Sequence, residues 1–333
     1  MSAGHAYLDI PRARVDECMI TQRDRSSTIL IADSGGYQIG TGVFAHSEIF
    51  RNDIHGAQAD KIRRRILNWS ETFADYSMTL DFPAWALGSS NYIFTTFREC
   101  LNETFYNCAF IEEERTHGRT KLLNVIQGKN YGQAVEWYDT VKEFNFEGWS
   151  FAGPVAANPD ITVRLLLHMW RDGMIGPERN WVHILGRSSL NAVWVNNIIH
   201  QNIRRHIFGG AQISYDSSSH VHYALNGSKV VGHNFNTDEF TLDIEPVGHP
   251  YVDEFEVFPV FNHNLRMQIS AINAVNALSN TPISELRDTG PLPSVLIDFK
   301  EDVARIFENA STVGINEYPI EDVDLKRYAN LIE

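Results

Sequence analysis

The fold of this chain is decided by the stretch Leu122-Leu123-Asn124-Val125-Ile126-Gln127-Gly128, an apolar run that ends in an amide and a glycine. Apolar side chains recur at helical spacing over residues 133–144, and a second apolar run over residues 149–152 ends at Gly153. Short strands that alternate with helices in this way predict parallel strands joined by right-handed crossovers.

The same alternation extends to both sides of this stretch. Further candidate strands cover residues 28–32, 78–80, 182–185 and 212–215, and residues 162–172 form another amphipathic segment. Strands near residues 4–7 or 18–21, and near 257–261, would complete a set of eight. We therefore predict a (β/α)8 TIM-like barrel over residues 1–280. Residues 281–333 are expected to form an acidic C-terminal extension packed on the barrel.

Polar residues and glycines stand where the candidate strands end. They are Asp33-Ser34-Gly35-Gly36, Asp81, Gln127, Gly153, Gly186 and Asp216. In a barrel these positions share the C-terminal rim, where barrel active sites are built, whereas an open doubly wound sheet gathers only those near its switch point. Each residue alone also has a structural explanation, since Asp33 and its glycines suit a turn and Asp216 suits a helix N-cap. Their combination indicates one polar pocket at a barrel mouth.

Composition narrows the cellular setting and the kinds of metal site. The first residues lack the charged-then-apolar pattern of a signal peptide, and no apolar run approaches membrane-spanning length. Three scattered cysteines, Cys18, Cys100 and Cys108, exclude a zinc site built from several cysteines. We expect a cytoplasmic protein (in the host cytoplasm if phage-encoded) with no membrane attachment, no cofactor and no structural metal.

Acidic charge is concentrated in the last third of the chain. The formal net charge is −14, and residues 231–333 carry 18 acidic and 6 basic side chains against 24 and 22 in residues 1–230. A nucleic acid would therefore meet the first two thirds. Two basic clusters lie there, Arg63-Arg64-Arg65 and Arg204-Arg205, and both are equally consistent with solvated helix faces.

The hexapeptide Asp33-Ser34-Gly35-Gly36-Tyr37-Gln38 resembles the signature of the guanine transglycosylases, enzymes that insert queuine or archaeosine precursors into tRNA. Further pieces follow in the order of that family. Those that resemble its base-binding aspartate and its strand ends are Leu80-Asp81, Val125-Ile126-Gln127-Gly128, Ser150-Phe151-Ala152-Gly153 and Ile184-Leu185-Gly186. Ile213-Ser214-Tyr215-Asp216 resembles the strand that ends in its nucleophile, and Asn262-His263-Asn264-Leu265 resembles the start of its closing helix.

The resemblance implies double displacement at a nucleoside C1′ through a covalent aspartyl–nucleoside intermediate. Asp216 would be the nucleophile, and Asp33 would be the general acid and base. Asp81 would accept hydrogen bonds from the guanine amine and ring N–H. The Gln127 side chain and the Gly153 backbone would donate to the guanine carbonyl. The remaining base-binding residues would be Tyr37 and Leu185, which sandwich the ring, together with Ser34, Gly186 and Asn158.

The chain also departs from the tRNA enzymes. Their zinc cluster of three cysteines and a histidine has no counterpart, and the tRNA-binding loop after Asp216 is not recognisable. In this the chain resembles the phage and bacterial transglycosylases that place 7-deazaguanines in DNA (the DpdA group). DNA is therefore favoured over tRNA, with a free 7-deazaguanine base as the second substrate, and a homodimer is compatible with this reading. Asn158 stands where bacterial tRNA enzymes carry a glutamate, so neutral 7-cyano-7-deazaguanine is expected rather than its aminomethyl relative.

Two other functions stay open. His220-Val221-His222 has the alternating spacing of a barrel metal site, as in a metal-dependent hydrolase, although such a pair is expected on an early strand. Non-catalytic partner subunits also occur in the transglycosylase family. Such a subunit should have lost a catalytic aspartate, whereas Asp33 and Asp216 are both present here.

Overall fold

The computed structural model describes residues 8–236, 239–247, 254–287 and 292–332, apart from the side chains of residues 18, 19 and 254–256. The chain divides into two compact units. The first unit comprises Met1–Val155 and Glu178–His183, and the second comprises Ala156–Pro177 and Ile184–Glu333.

Six strands form one sheet in which the order of the strands follows the order of the chain. They are β1 (Ile31–Ala32), β2 (Tyr76–Met78), β3 (Lys121–Ile126), β4 (Gly148–Phe151), β5 (Trp181–Ile184) and β6 (Gln212–Tyr215). The pairings from β1 to β4 are parallel, with Ser77 opposite Leu122 and Val125 opposite Ser150. This sheet confirms the mixed α/β class and is compatible with a TIM-like fold.

Fourteen α-helices lie within the described residues. Those of the first 155 residues are α1 (Ile10–Asp16), α2 (Cys18–Thr21), α3 (Gly36–Thr41), α4 (Ser47–Asn52), α5 (Ala57–Phe73), α6 (Phe97–Glu114) and α7 (Tyr131–Val141). The others are α8 (Pro154–Ala157), α9 (Pro159–Arg171), α10 (Leu190–His206), α11 (Ser219–Leu225), α12 (Glu254–Asn280), α13 (Ile283–Leu286) and α14 (Ser294–Val313).

The two extra strands that would complete an eight-stranded barrel are not found in the described residues. Residues 18–21 form helix α2, and residues 257–261 lie inside helix α12, because a short apolar run fits a buried helix as well as a strand. The remaining strands, β7 (Ser228–Phe235) and β8 (Phe240–Pro246), pair with each other as an antiparallel hairpin. The candidate strand at residues 4–7 lies outside the described residues.

In the first unit, helices α5, α6 and α7 fix the ends of the strands. Helix α6 begins at a capping box, in which the Thr96 side chain accepts from the Glu99 backbone and Glu99 reaches back to the Thr96 backbone. Strand β3 is buried from Leu122 to Ile126, and Trp137 of α7 donates from Nε1 to the Val125 carbonyl over 2.9 Å. Buried tryptophan rings therefore lock α7 onto the sheet.

In the second unit, the C-terminal residues pack on the earlier helices. Trp194 of α10 donates from Nε1 to the Leu296 carbonyl of α14 over 3.0 Å. The backbone N–H of Leu325 donates to Oδ1 of the buried Asp160 over 2.8 Å. The boundary expected at residue 280 stays a prediction. Among the described helices, none combines the length and the apolar character needed to cross a membrane.

Candidate functional site

The backbone that carries Asp81 is fastened on both sides just after β2. Thr79 pairs with β3, since its N–H donates to the Leu123 carbonyl over 2.9 Å. On the other side, Asn107 Nδ2 donates to the Leu80 carbonyl over 3.0 Å, and Thr104 Oγ1 accepts from the Phe82 N–H over 3.0 Å. Because helix α6 supplies both of these side chains, Asp81 has a fixed position at the carboxyl end of the strand.

The carboxyl group of Asp81 is buried and lies against a glycine. Only 4% of the residue is exposed, and its Oδ2 accepts a hydrogen bond from Gln127 Nε2 over 2.8 Å. Its Oδ1 lies so close to Gly36 that a Cβ at position 36 would overlap it. Position 36 therefore needs glycine for space, and the two residues quoted together from the sequence pattern are in contact.

Burial changes the protonation of Asp81. It is the main cause that raises the pKa of this carboxyl from 3.8 to about 7; the Gln127 hydrogen bond opposes the shift and the negative charge of Asp33 adds to it. At neutral pH the side chain is therefore close to its midpoint. A ligand that donates N–H groups to it would stabilise the charged form.

The turn after β1 places Asp33 and Ser34 beside this carboxyl group. Ser34 is fully buried, and its Oγ donates to the Thr79 carbonyl over 3.0 Å. Gly35 has a left-handed φ of 99° and is the N-cap of helix α3, so Asp33, which is half-buried, is not the capping residue. The turn explanation thus accounts for Gly35 but assigns no cap to Asp33.

Gln127 is paired differently from the expectation. Its Nε2 donates to Asp81, and its Oε1 is buried with no hydrogen-bond partner among the described residues. A Cβ on Gly153, which has a left-handed φ of 55°, would lie 3.3 Å from this Oε1. The amide therefore presents an acceptor near Gly153, whereas the resemblance implies a donor to a guanine carbonyl.

Two aromatic residues adjoin this group. Tyr37 is 63% exposed, and its ring centroid lies 5.6 Å from that of Trp85 at an interplanar angle of 35°. The Cδ1 atom of Trp85 lies 3.2 Å from the Cβ position of Gly153. Sequence reasoning missed Trp85, because it carries no spacing signal and its contacts are distant in the chain.

The second unit contains Asp216 and the glycine to which it is bonded. Asp216 is exposed at the end of β6, and its Oδ1 accepts from the Gly186 N–H over 2.7 Å. Gly186 has a left-handed φ of 67° just after β5, next to the half-buried Leu185. The N-cap of α11 is Ser218, so the alternative role of Asp216 as an N-cap is wrong. The sandwich of a base between Tyr37 and Leu185 stays a prediction.

Asn158 has a structural role. It is the N-cap of helix α9, and its Oδ1 accepts from the Asp160 N–H over 3.0 Å. The cap interaction accounts for this side chain without a ligand, so its contact with a base substituent also stays a prediction.

The first basic cluster is only partly a surface feature. The side chain of Arg63 is 1% exposed and donates to Asn107 Oδ1 over 2.7 Å, so the expectation that Arg63 contacts nucleic acid is wrong. Arg64 forms a two-bond pair with Glu114, and Arg65 donates to the Leu8 carbonyl. In the second cluster Arg204 and Arg205 are exposed in the last turn of α10, and Arg204 Nε donates to the Gly209 carbonyl over 2.9 Å.

The histidine pair does not form the metal site that its spacing indicates. His220 and His222 lie in helix α11, where residues two apart do not face each other, whereas the alternating spacing requires a strand. The half-buried ring of His220 packs 5.1 Å from that of Phe261, and burial lowers the pKa of His220.

The described residues thus form two groups. The first unit brings together Asp33, Ser34, Tyr37, Asp81, Gln127 and Gly153, and the second brings together Gly186 and Asp216. Known proteins give no further indication, since neither a family model nor a curated protein matches the chain.

Proposed function

We propose that this protein is a DNA-guanine transglycosylase, a pentosyltransferase that exchanges guanine for a 7-deazaguanine base. The observation that carries the proposal is the buried Asp81 carboxyl, bonded to Gln127 and within electrostatic reach of Asp33. These residues stand at three successive strand ends, in the order that the resemblance to the transglycosylases implies. A buried carboxyl group with room for N–H donors suits the amine and ring N–H of guanine.

The reaction would run in two displacements at C1′. In the first, an oxygen of Asp216 forms a bond to C1′, the bond from C1′ to N9 breaks, and Asp33 gives a proton to the departing guanine. In the second, the N9–H of the incoming base gives its proton to Asp33. N9 then forms a bond to C1′ and the Asp216 carboxylate is released. Two inversions retain the configuration.

DNA is proposed as the polymer because the zinc module and the recognisable tRNA loop are missing from the sequence. In duplex DNA the target guanine would have to be flipped out of the stack, at a cost of a few kcal/mol. The preferred incoming base is proposed to be 7-cyano-7-deazaguanine, since Asn158 is neutral and its Oδ1 already caps a helix. A buried ammonium group would lack a partner there.

The experiment is release of labelled guanine from duplex DNA and from a tRNA transcript, measured side by side with each deazaguanine base as acceptor. Asp33→Asn and Asp81→Asn are expected to abolish release, and Asp139→Asn, an exposed carboxylate on α7, serves as the control. Release from tRNA alone would replace the DNA proposal by a tRNA-guanine transglycosylase. Absence of release from both polymers would refute the function.

A further inference from the structure

Trp85 lies four residues after Asp81, in a short 3-10 turn at Ala84–Ala86, and it is half-buried. Its six-membered ring packs against helix α3 at Gly40. A Cβ on Gly40 would lie 2.8 Å from Pro83 Cγ and 2.9 Å from Trp85 Cζ2. Helix α3 therefore approaches the indole as closely as a glycine permits, and this helix begins with the Gly36 and Tyr37 of the site.

The opposite edge of the same indole contacts the other side of the site. Its Cδ1 lies 3.2 Å from the Cβ position of Gly153, and the unpaired Gln127 Oε1 lies 3.3 Å from that position. One side chain thus spans from the helix that carries Tyr37 to the turn beside Gln127.

The geometry also excludes one arrangement. A base inserted between Tyr37 and Trp85 would need two stacking contacts, or about 7–8 Å between the rings, whereas the centroids are 5.6 Å apart. A base that stacks on Tyr37 therefore uses the face away from Trp85. Trp85 supports the exposed ring from behind.

We propose that Trp85 is a positioning residue of the base site, which fixes the Tyr37 ring relative to the Asp81–Gln127 pair and so sets the plane in which a flat heterocycle stacks. The inference rests on the proposed function, because it takes Tyr37 as the stacking surface for the base. It also has a content of its own, namely that Trp85 determines the order of the Tyr37 side chain.

The chain offers a matched control. Trp181 is also half-buried in the first unit, and it packs against Tyr76 at 4.4 Å and 39°. Both rings of this pair belong to the amino ends of strands β5 and β2, whereas Asp81 and Gln127 follow the carboxyl ends of their strands. Trp181→Phe removes an indole from a tyrosine–tryptophan pair as Trp85→Phe does, without touching the site.

The first measurement is ¹⁹F NMR of the protein with 3-fluorotyrosine incorporated at position 37 alone. Trp85→Ala is expected to sharpen the signal and move it toward that of the free amino acid. Trp85→Phe should give an intermediate signal, and Trp181→Phe should leave it unchanged. An unchanged signal in a folded Trp85→Ala protein would overturn the inference, whatever reaction the protein catalyses.

The second measurement is exchange kinetics with free 7-cyano-7-deazaguanine and duplex DNA. Trp85→Ala is expected to raise KM for the base by about tenfold, the range of one aromatic contact, with kcat changed less than twofold. Trp85→Phe should recover part of this loss. A wild-type KM in Trp85→Ala would overturn the inference. If the wild-type protein exchanges no base, the proposed function fails, and the NMR result still decides the role of Trp85.

Discussion

Gln127 donates a hydrogen bond from Nε2 to Oδ2 of Asp81 over 2.8 Å, which joins the ends of two neighbouring strands. The amide thereby spends a donor on Asp81 and leaves the acceptor Oε1 buried without a partner in the described part of the chain. A guanine whose carbonyl is to meet Gln127 must therefore displace this pairing. Rotation of the amide would achieve it, with a protonated Asp81 as donor to Oε1 and Nε2 turned to the ligand. Protonation of Asp81 and the orientation of Gln127 are thus linked.

The first prediction concerns stability against pH. The Asp81 carboxyl loses its proton near 3.8 in the unfolded chain and near 7 in the folded protein. Between these values the folded state holds more protons, so stability falls as pH rises and levels off above 7. Asp81→Asn removes this loss. Its free energy of unfolding relative to wild type should rise from pH 4 to pH 7, by at most about 1.4 kcal/mol per pH unit.

Denaturant unfolding of both proteins at pH 5, 6, 7 and 8 measures this difference. The exposed Asp139→Asn variant should show a difference that does not change with pH over the same range. A flat difference for Asp81→Asn as well would mean that Asp81 is not the buried, proton-holding group described above.

The second prediction concerns Gly36. An alanine there would overlap Oδ1 of Asp81, so the carboxyl group must move away from its position. Gly36→Ala should weaken binding of a free guanine base by at least about tenfold and cost about 1–3 kcal/mol of stability, as overpacking does. The control is Gly132→Ala in helix α7, where the added Cβ would lie 3.4 Å from Asn130 Oδ1. Calorimetric titration with guanine measures the loss, and wild-type affinity in Gly36→Ala would contradict it.

Sequence patterns located the strands well where the chain is buried on both faces. Residues 212–215 and 122–126 coincide with β6 and β3 to within one residue, because uninterrupted apolar runs suit a covered parallel sheet. The run at 28–32 shortened to Ile31–Ala32 because the Leu30 N–H donates to the Asp75 side chain instead of a strand partner. Strand ends thus depend on side chains that no periodicity indicates.

The candidate site was predictable to a similar extent. Asp33, Asp81 and Gln127 could be placed together because parallel strands share one carboxyl edge. The error on Arg63 was avoidable, since it stands four residues from both Ala59 and Leu67 and therefore on the buried face of α5. Trp85 could not be found, because its contacts with Gly40 and Gly153 exist only after folding.

The third prediction concerns the polymer. Arg204 and Arg205 are exposed, whereas Arg63 is buried and Arg64 is paired with Glu114. Arg204→Ala with Arg205→Ala should weaken DNA binding and make its decline with salt less steep by one to two phosphate contacts, about 0.9 each in the logarithmic slope. Fluorescence anisotropy with a labelled duplex at several KCl concentrations gives the slope. Arg287→Ala, which removes an exposed arginine paired with Glu301, is the control. An unchanged slope in the double variant would remove this helix end from the DNA-binding surface.

The fourth prediction concerns Asp216 as the nucleophile. Its Oδ1 is held by the Gly186 N–H over 2.7 Å, so the carboxylate has a fixed orientation at the end of β6. Asp216→Asn keeps the size and the acceptor oxygen of the side chain but lacks the anionic oxygen that forms the bond to C1′. It should therefore abolish a denaturant-resistant protein–DNA adduct and the exchange reaction, while the protein remains folded. Asp33→Asn should abolish turnover but still trap some adduct, since Asp33 transfers protons and forms no bond to the sugar. Both are measured by gel electrophoresis in denaturant after incubation with labelled duplex. An adduct that persists in Asp216→Asn would assign the covalent step to another carboxylate, and the reaction scheme proposed here would fall with it.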